Sequence, residues 1–169
     1  MLDKNNLIEL AYLRLGKSIG TYGNNDDEDH YKATRALDEI IANVAVESEF
    51  RFNAVTTTLN KNSDSTGVLG DNRFNLPNDF LNVIRCEQDY RIEGEYVYST
   101  DSEVTMMYCR KIDISVFPLY MKKYLVASLC CELSVIFGQY LDKYGIFKRE
   151  IGTEKTRIIN MQGLVVKEW

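Results

Sequence analysis

A single histidine, His30, stands in the chain beside an acidic run, so a serine or cysteine triad has one imidazole to build on and a poor setting for it. Four cysteines occur, Cys86, Cys109, Cys130 and Cys131, and none shows the two-residue spacing that brings paired thiolates onto one metal. Cys130 and Cys131 are adjacent in an apolar helical pattern, where neighbouring side chains diverge and do not close a disulfide; all four read as reduced, buried small hydrophobes. The ten glycines are scattered and build no phosphate cradle. Leu15-Gly16-Lys17-Ser18 has the tail of a P-loop without its first glycine or a preceding strand, and reads as a helix end. Positive charge is short as well: 20 Lys and Arg face 25 Asp and Glu, a formal charge of -5, so no global basic field holds a polyanion tightly. Met1-Leu2-Asp3-Lys4-Asn5-Asn6 turns polar at once and lacks a signal-peptide core, so export is not expected. The apolar stretch from Tyr124 to Phe137 is broken by Glu132 and falls short of the ~20 apolar residues that span a bilayer. No internal repeat is visible. No catalytic residue, cofactor or metal ligand is assigned.

What is present is a core and an order of elements. The 169 residues are 45% apolar, enough for one domain with a small subdomain. Leu7, Ile8, Ala11, Tyr12 and Leu15 follow one helix face, predicting a helix over 3–16 that Gly16 ends. Asn24-Asn25-Asp26-Asp27-Glu28-Asp29 offers turn formers and an acidic helix start, and a second helix is predicted over 28–48. Its apolar stripe is Ala33, Leu37, Ile40, Ile41 and Val44; its polar stripe is Lys32, Arg35, Glu39 and Asn43. The aromatic and β-branched run from Phe50 to Leu59 predicts a strand, and polar Lys61 to Asn72 a protruding mobile loop. Asn82–Arg91, Glu95–Ser99 and Val104–Arg110 predict a small antiparallel meander, the first two strands joined by a turn at Glu93-Gly94. Pro118 opens a long helix, 118–144, ended by Gly145 and apolar almost all round at Leu125 to Cys131, and a fourth helix covers 146–161 before a tail, 163–169. The fold class is α+β: a bundle of about four helices with a small antiparallel sheet, about 50–110, inserted between the helix pairs.

Three acidic groups invite chemistry. The run Asp26 to Asp29 lacks the alternating ligands of a calcium hand and suits a helix start. Glu132, the one carboxylate in the apolar helix, fits a polar stripe or a pair across an interface better than catalysis. Glu93 and Glu95 flank a turn at strand spacing, a pattern that solvation explains more simply than a glycosidase pair. Trp169, after Leu164, Val165 and Val166, needs a docking surface, either on its own bundle or on a partner.

Three stretches carry a family resemblance. The helix ending Leu13-Arg14-Leu15-Gly16 is followed by a loop and by Ala33-Thr34-Arg35-Ala36-Leu37-Asp38-Glu39-Ile40. The middle has Phe74-Asn75-Leu76-Pro77-Asn78-Asp79-Phe80-Leu81 and then Tyr90-Arg91-Ile92-Glu93-Gly94-Glu95-Tyr96-Val97-Tyr98. The closing part has Asp113-Ile114-Ser115-Val116-Phe117-Pro118 leading into Leu125-Val126-Ala127-Ser128-Leu129-Cys130-Cys131-Glu132-Leu133. In this order the stretches resemble the head-to-tail adaptor of short-tailed phages, the tail tubular protein A family, over nearly the whole chain. The resemblance implies a structural, non-enzymatic virion protein at the head-tail junction, made in the host cytoplasm. It implies a ring of about twelve copies closed by a heterologous interface, with the portal protein on one side and the tail nozzle protein on the other. Double-stranded DNA passes through without sequence-specific binding, a role that a mildly acidic chain permits, and no membrane is involved. On this reading Leu164, Val165, Val166 and Trp169 meet the portal, and Asn62, Asp64, Asn72 and Arg73 meet a neighbouring copy or the tail. The alternatives are a small virion-associated cell-wall hydrolase using paired carboxylates, and a monomeric helical interaction module.

Overall fold

A computed structural model describes residues 1–17, 27–66 and 71–165, with side chains for all of these but 27, 63–66, 164 and 165. The fold is α+β, with four α-helices and two small antiparallel sheets among the described residues. Contacts gather the chain into two compact units: Met1–Val44 with Asp113–Trp169, and the inserted Ala45–Ile112.

The helical unit follows the sequence closely at its start. Helix α1 spans Lys4–Leu15; Asp3 caps it by accepting from the Asn6 amide, and Gly16 ends it at φ 78. Its buried residues are Leu7, Ile8, Ala11, Tyr12 and Leu15, the face that the spacing predicts. Helix α2, Asp27–Val46, buries Ala33, Leu37 and Val44 of the predicted stripe, while Ile40 and Ile41 are half-buried. The Tyr12 hydroxyl donates to the Asp29 carbonyl at 2.9 Å and Lys4 pairs with Asp38 at 2.6 Å, which fastens α2 to α1.

The predicted helix over 118–144 is corrected. After Pro118 comes a one-turn 3-10 segment, Leu119–Met121; α3 then runs Lys122–Phe137, and α4 runs Leu141–Val165. The chain leaves the helix at Gly138, φ 69, rather than at Gly145, which lies inside α4. Both glycines sit within one continuous apolar period, and local sequence does not distinguish them. The fourth helix therefore begins at Leu141, ahead of the predicted 146, and takes in Gly163, Leu164 and Val165 of the predicted tail. At 1.5 Å per residue α3 is ~24 Å long, short enough for central burial. All positions from Tyr124 to Cys131 are buried, as the all-round apolar pattern requires. The Cys130 thiol points at the Ala11 carbonyl, 3.6 Å away, and the Ser134 hydroxyl returns to the Cys130 carbonyl at 2.7 Å.

The two glycines make opposite predictions. Apart from the adjoining backbone, nothing lies within 4 Å of a Cβ added at either. Gly145→Ala is expected to stabilise by about 1 kcal/mol, the helix propensity difference. Gly138→Ala is expected to destabilise by about 1–2 kcal/mol, because an L residue is strained at positive φ. Thermal melts of the two variants check the pair.

The inserted unit holds two sheets where one meander is predicted. Strands β1 (Ala54–Leu59), β7 (Val104–Arg110) and β4 (Phe80–Cys86) form the first in the order β1-β7-β4. Strands β2 (Lys61–Thr66), β3 (Asn72–Asn75), β6 (Tyr96–Ser99) and β5 (Arg91–Glu93) form the second in the order β2-β3-β6-β5. The predicted strand from Asn82 to Arg91 is two strands in different sheets, and the turn at Gly94, φ 61, joins β5 to β6. The predicted strand from Phe50 opens with a 3-10 turn, Arg51–Asn53. The loop predicted over Lys61 to Asn72 is corrected too: its start pairs as β2 with β3. A polar run makes an edge strand when one face meets water and its backbone carries the pairing. Residues 67–70 lie outside the described residues. Leu59, Phe74, Val97, Val104, Met106 and Tyr108 form the core of this unit. Cys86 is half-buried, unlike the other three cysteines, which corrects its reading as a core residue.

Candidate functional site

The Phe74–Leu81 stretch is locked from several sides. Phe74 is fully buried on β3; the Leu76 amide donates to the Glu95 carbonyl at 3.0 Å, and the Phe80 amide closes on the Pro77 carbonyl at 3.0 Å. Asp79 accepts from the Tyr108 hydroxyl at 2.9 Å, while its carbonyl accepts from the Lys111 amide at 2.7 Å. Burial, followed by the bond to Asp79, holds the Tyr108 phenol above its ordinary range. The corner faces the β5–β6 turn across a hollow of about 510 Å³ lined by Asn75, Pro77, Asn78, Glu95 and Tyr96.

Beside it, one face of the second sheet carries a row of stacked cations. Arg73 lies opposite Tyr98, which lies opposite Arg91. The Arg73 guanidinium sits 4.5 Å over the Tyr96 ring, and that of Arg91 sits 4.6 Å over Tyr98. Arg91 also bridges Glu93, at 2.7 Å, and Asp71, and these bonds raise its pKa further. The Nε of Arg73 is buried and makes no hydrogen bond among the described residues.

The predicted site residues fall into two groups. Asn62 and Asp64 lie on β2, and Asn72 and Arg73 lie on β3, which pairs with β2 in a register that shifts between Lys61 and Thr66. Asn72 donates to the Asp101 carbonyl at 2.7 Å. Leu164 and Val165 end α4, and Val166 and Trp169 lie outside the described residues. Glu132, predicted inside the apolar helix, is exposed, as are Glu93 and Glu95. Glu132 belongs to the helical unit and the other two to the inserted one.

Two hollows on the helical unit complete the candidate surfaces. An open groove of about 930 Å³ lies along α2 and the end of α3, lined by Tyr31, Arg35, Glu39, Ile40, Glu132 and Ile136 among others. Tyr31 is 61% exposed and Ile136 43%, high values for large apolar side chains. A smaller hollow of about 480 Å³ lies between α1, α3 and α4, with Leu10 and Val126 beside Arg14, Lys122, Lys123 and Glu150. Arg14 pairs with Glu150 at 2.5 Å and lies 5.1 Å over the Phe147 ring. The bond to Glu150 raises the Arg14 pKa. The sequence singles out Lys32, Arg35, Glu39 and Asn43 as one polar stripe, but does not point to Tyr31, Lys122 or Lys123. The signal for Tyr31 is a large aromatic next to that stripe.

Beneath these surfaces, burial pushes the Cys130 thiol from 9.0 up to about 12. A thiol held neutral in the fold contributes stability below pH 9 that is lost as pH rises through 12. Helical circular dichroism is expected to fall in that interval, and Cys130→Ala to flatten the fall. An identical alkaline profile for the variant would contradict this.

No protein-family model matches the chain, and comparison with curated proteins returns no match. No helix among the described residues is long and apolar enough to cross a membrane.

Proposed function

We propose that this chain is a structural connector of the head-to-tail adaptor kind, a ring-forming part between a portal and a tail nozzle. The observation that carries the reading is the insertion of one compact unit into another. The chain leaves the helical unit after Val44 and returns at Asp113, so the inserted sheets are tethered at both ends. A part that joins two different partners needs two separately built surfaces, and a chain of two compact units supports that reading. The ring consists of about twelve copies joined by a heterologous contact, through which double-stranded DNA passes without sequence-specific binding. The tail Leu164, Val165, Val166 and Trp169 docks on the portal, and Asn62, Asp64, Asn72 and Arg73 face a neighbour or the nozzle. The protein resides in the virion at the head-tail junction.

Co-sedimentation with the portal protein encoded by the same genome tests this reading. The full chain is expected to travel with the portal. Deleting 164–169 is expected to abolish that association while the circular dichroism spectrum is kept. Undiminished association of the truncated chain would remove the tail from the portal interface.

A further inference from the structure

The two hollows of the helical unit lie at different stretches of α3, one at Lys122, Lys123 and Val126 and the other at Glu132 and Ile136. Their residual charges differ in sign. In the α2–α3 groove, Lys32 pairs with Glu28 and Asp38 with Lys4, which leaves Arg35, Glu39 and Glu132. In the α1–α3–α4 hollow, Arg14 pairs with Glu150 and Glu154 with Arg157, which leaves Lys122 and Lys123. One surface is therefore net acidic and the other basic. Each also has an apolar part, Tyr31 and Ile136 on the first, Leu10 and Val126 on the second.

We propose that these surfaces fit each other in two copies of the chain: the α2–α3 groove of one copy receives the Lys122–Lys123 edge of the α1–α3–α4 hollow of the next. The occupant is a second copy because the molecule itself carries both complementary patches. Because the two patches are different surfaces, the contact is heterologous, and a copy that uses one patch keeps the other to extend the assembly. Buried Tyr31 and Ile136 contribute the apolar part, and Glu39 and Glu132 against Lys122 and Lys123 set the register and exclude the inverted docking. This rests on the ring reading above and names the residues of its repeated contact.

Charge reversal tests it. One full-length variant carries Lys122→Glu and Lys123→Glu, and a second carries Glu39→Lys and Glu132→Lys. Sedimentation velocity, with and without the portal protein, reads assembly, and circular dichroism reads the fold. Each variant alone is expected to need a roughly tenfold or greater concentration to assemble, and an equimolar mixture of the two to regain wild-type assembly. Both contacts in the mixture again join opposite charges, so recovery also excludes misfolding as the cause of the loss. If the wild type forms rings and both variants form them equally well, or if the mixture fails to recover, the contact lies elsewhere and the ring reading survives. If the wild type stays monomeric in every condition, both fall together.

Discussion

Phe74→Ala is expected to destabilise the inserted unit by about 3–5 kcal/mol, the usual loss for a fully buried phenylalanine. Phe74 is 0% exposed and packs in the core with Leu59, Val97, Val104 and Met106. It also sits at the end of β3, where the chain turns into the corner that Leu76, Pro77 and Asp79 hold in place. The substitution therefore opens a cavity and loosens the corner at once. The neighbouring polar positions make a sharp contrast: Asn75→Ala, exposed on the same strand, is expected to stay within about 0.5 kcal/mol of wild type. Urea unfolding followed by tyrosine fluorescence measures both.

The second large effect belongs to Asn53. This residue is 1% exposed, and its amide nitrogen donates to the carbonyls of Ala45, at 2.8 Å, and Arg110, at 2.9 Å. It thereby ties Ala45, where the inserted unit begins, to the end of β7. Asn53→Asp removes both donors and places a carboxylate against two carbonyl oxygens, at an expected cost of about 3–5 kcal/mol at neutral pH. The new carboxyl is stabilised in its protonated form, so its folded pKa rises above the unfolded value. The variant is then expected to regain stability as pH falls through that raised pKa towards 4, where its protonated oxygen can donate again. Asn53→Leu, which carries no charge, is expected to lose stability without this pH dependence. Parallel urea titrations at pH 4.5 and 7.5 separate the two variants.

Much of this fold is legible from local pattern. The face of α1 is given by Leu7, Ile8, Ala11, Tyr12 and Leu15, and its end by Gly16, because a short amphipathic helix with a left-handed cap is specified within a few residues. Strand β7 is similarly clear, since Val104, Met106 and Tyr108 alternate inward. The all-round burial of α3 follows from its apolar midsection. What the pattern does not resolve depends on distant partners. Gly138 and Gly145 carry the same local signal, and packing of α4 against α3 decides between them. Lys61 to Thr66 reads as a loop because backbone pairing with β3 leaves no trace in its polar side chains. The meander divides into two sheets because β4 and β6 choose partners far along the chain. The same limit applies to the candidate surfaces: Glu39 and Glu132 share a groove only after α2 and α3 have packed, and Lys122 and Lys123 stand out only once Arg14 pairs with Glu150 and Glu154 with Arg157.

As the proposed adaptor, this chain would assemble around an axis against a portal. Negative-stain imaging of the purified protein, alone and mixed with the portal protein from the same genome, tests it most directly. An additional ring stacked coaxially on the portal is expected, with a symmetry that can be counted in end views. Portal particles without added density, together with a chain that sediments as a monomer, would contradict it.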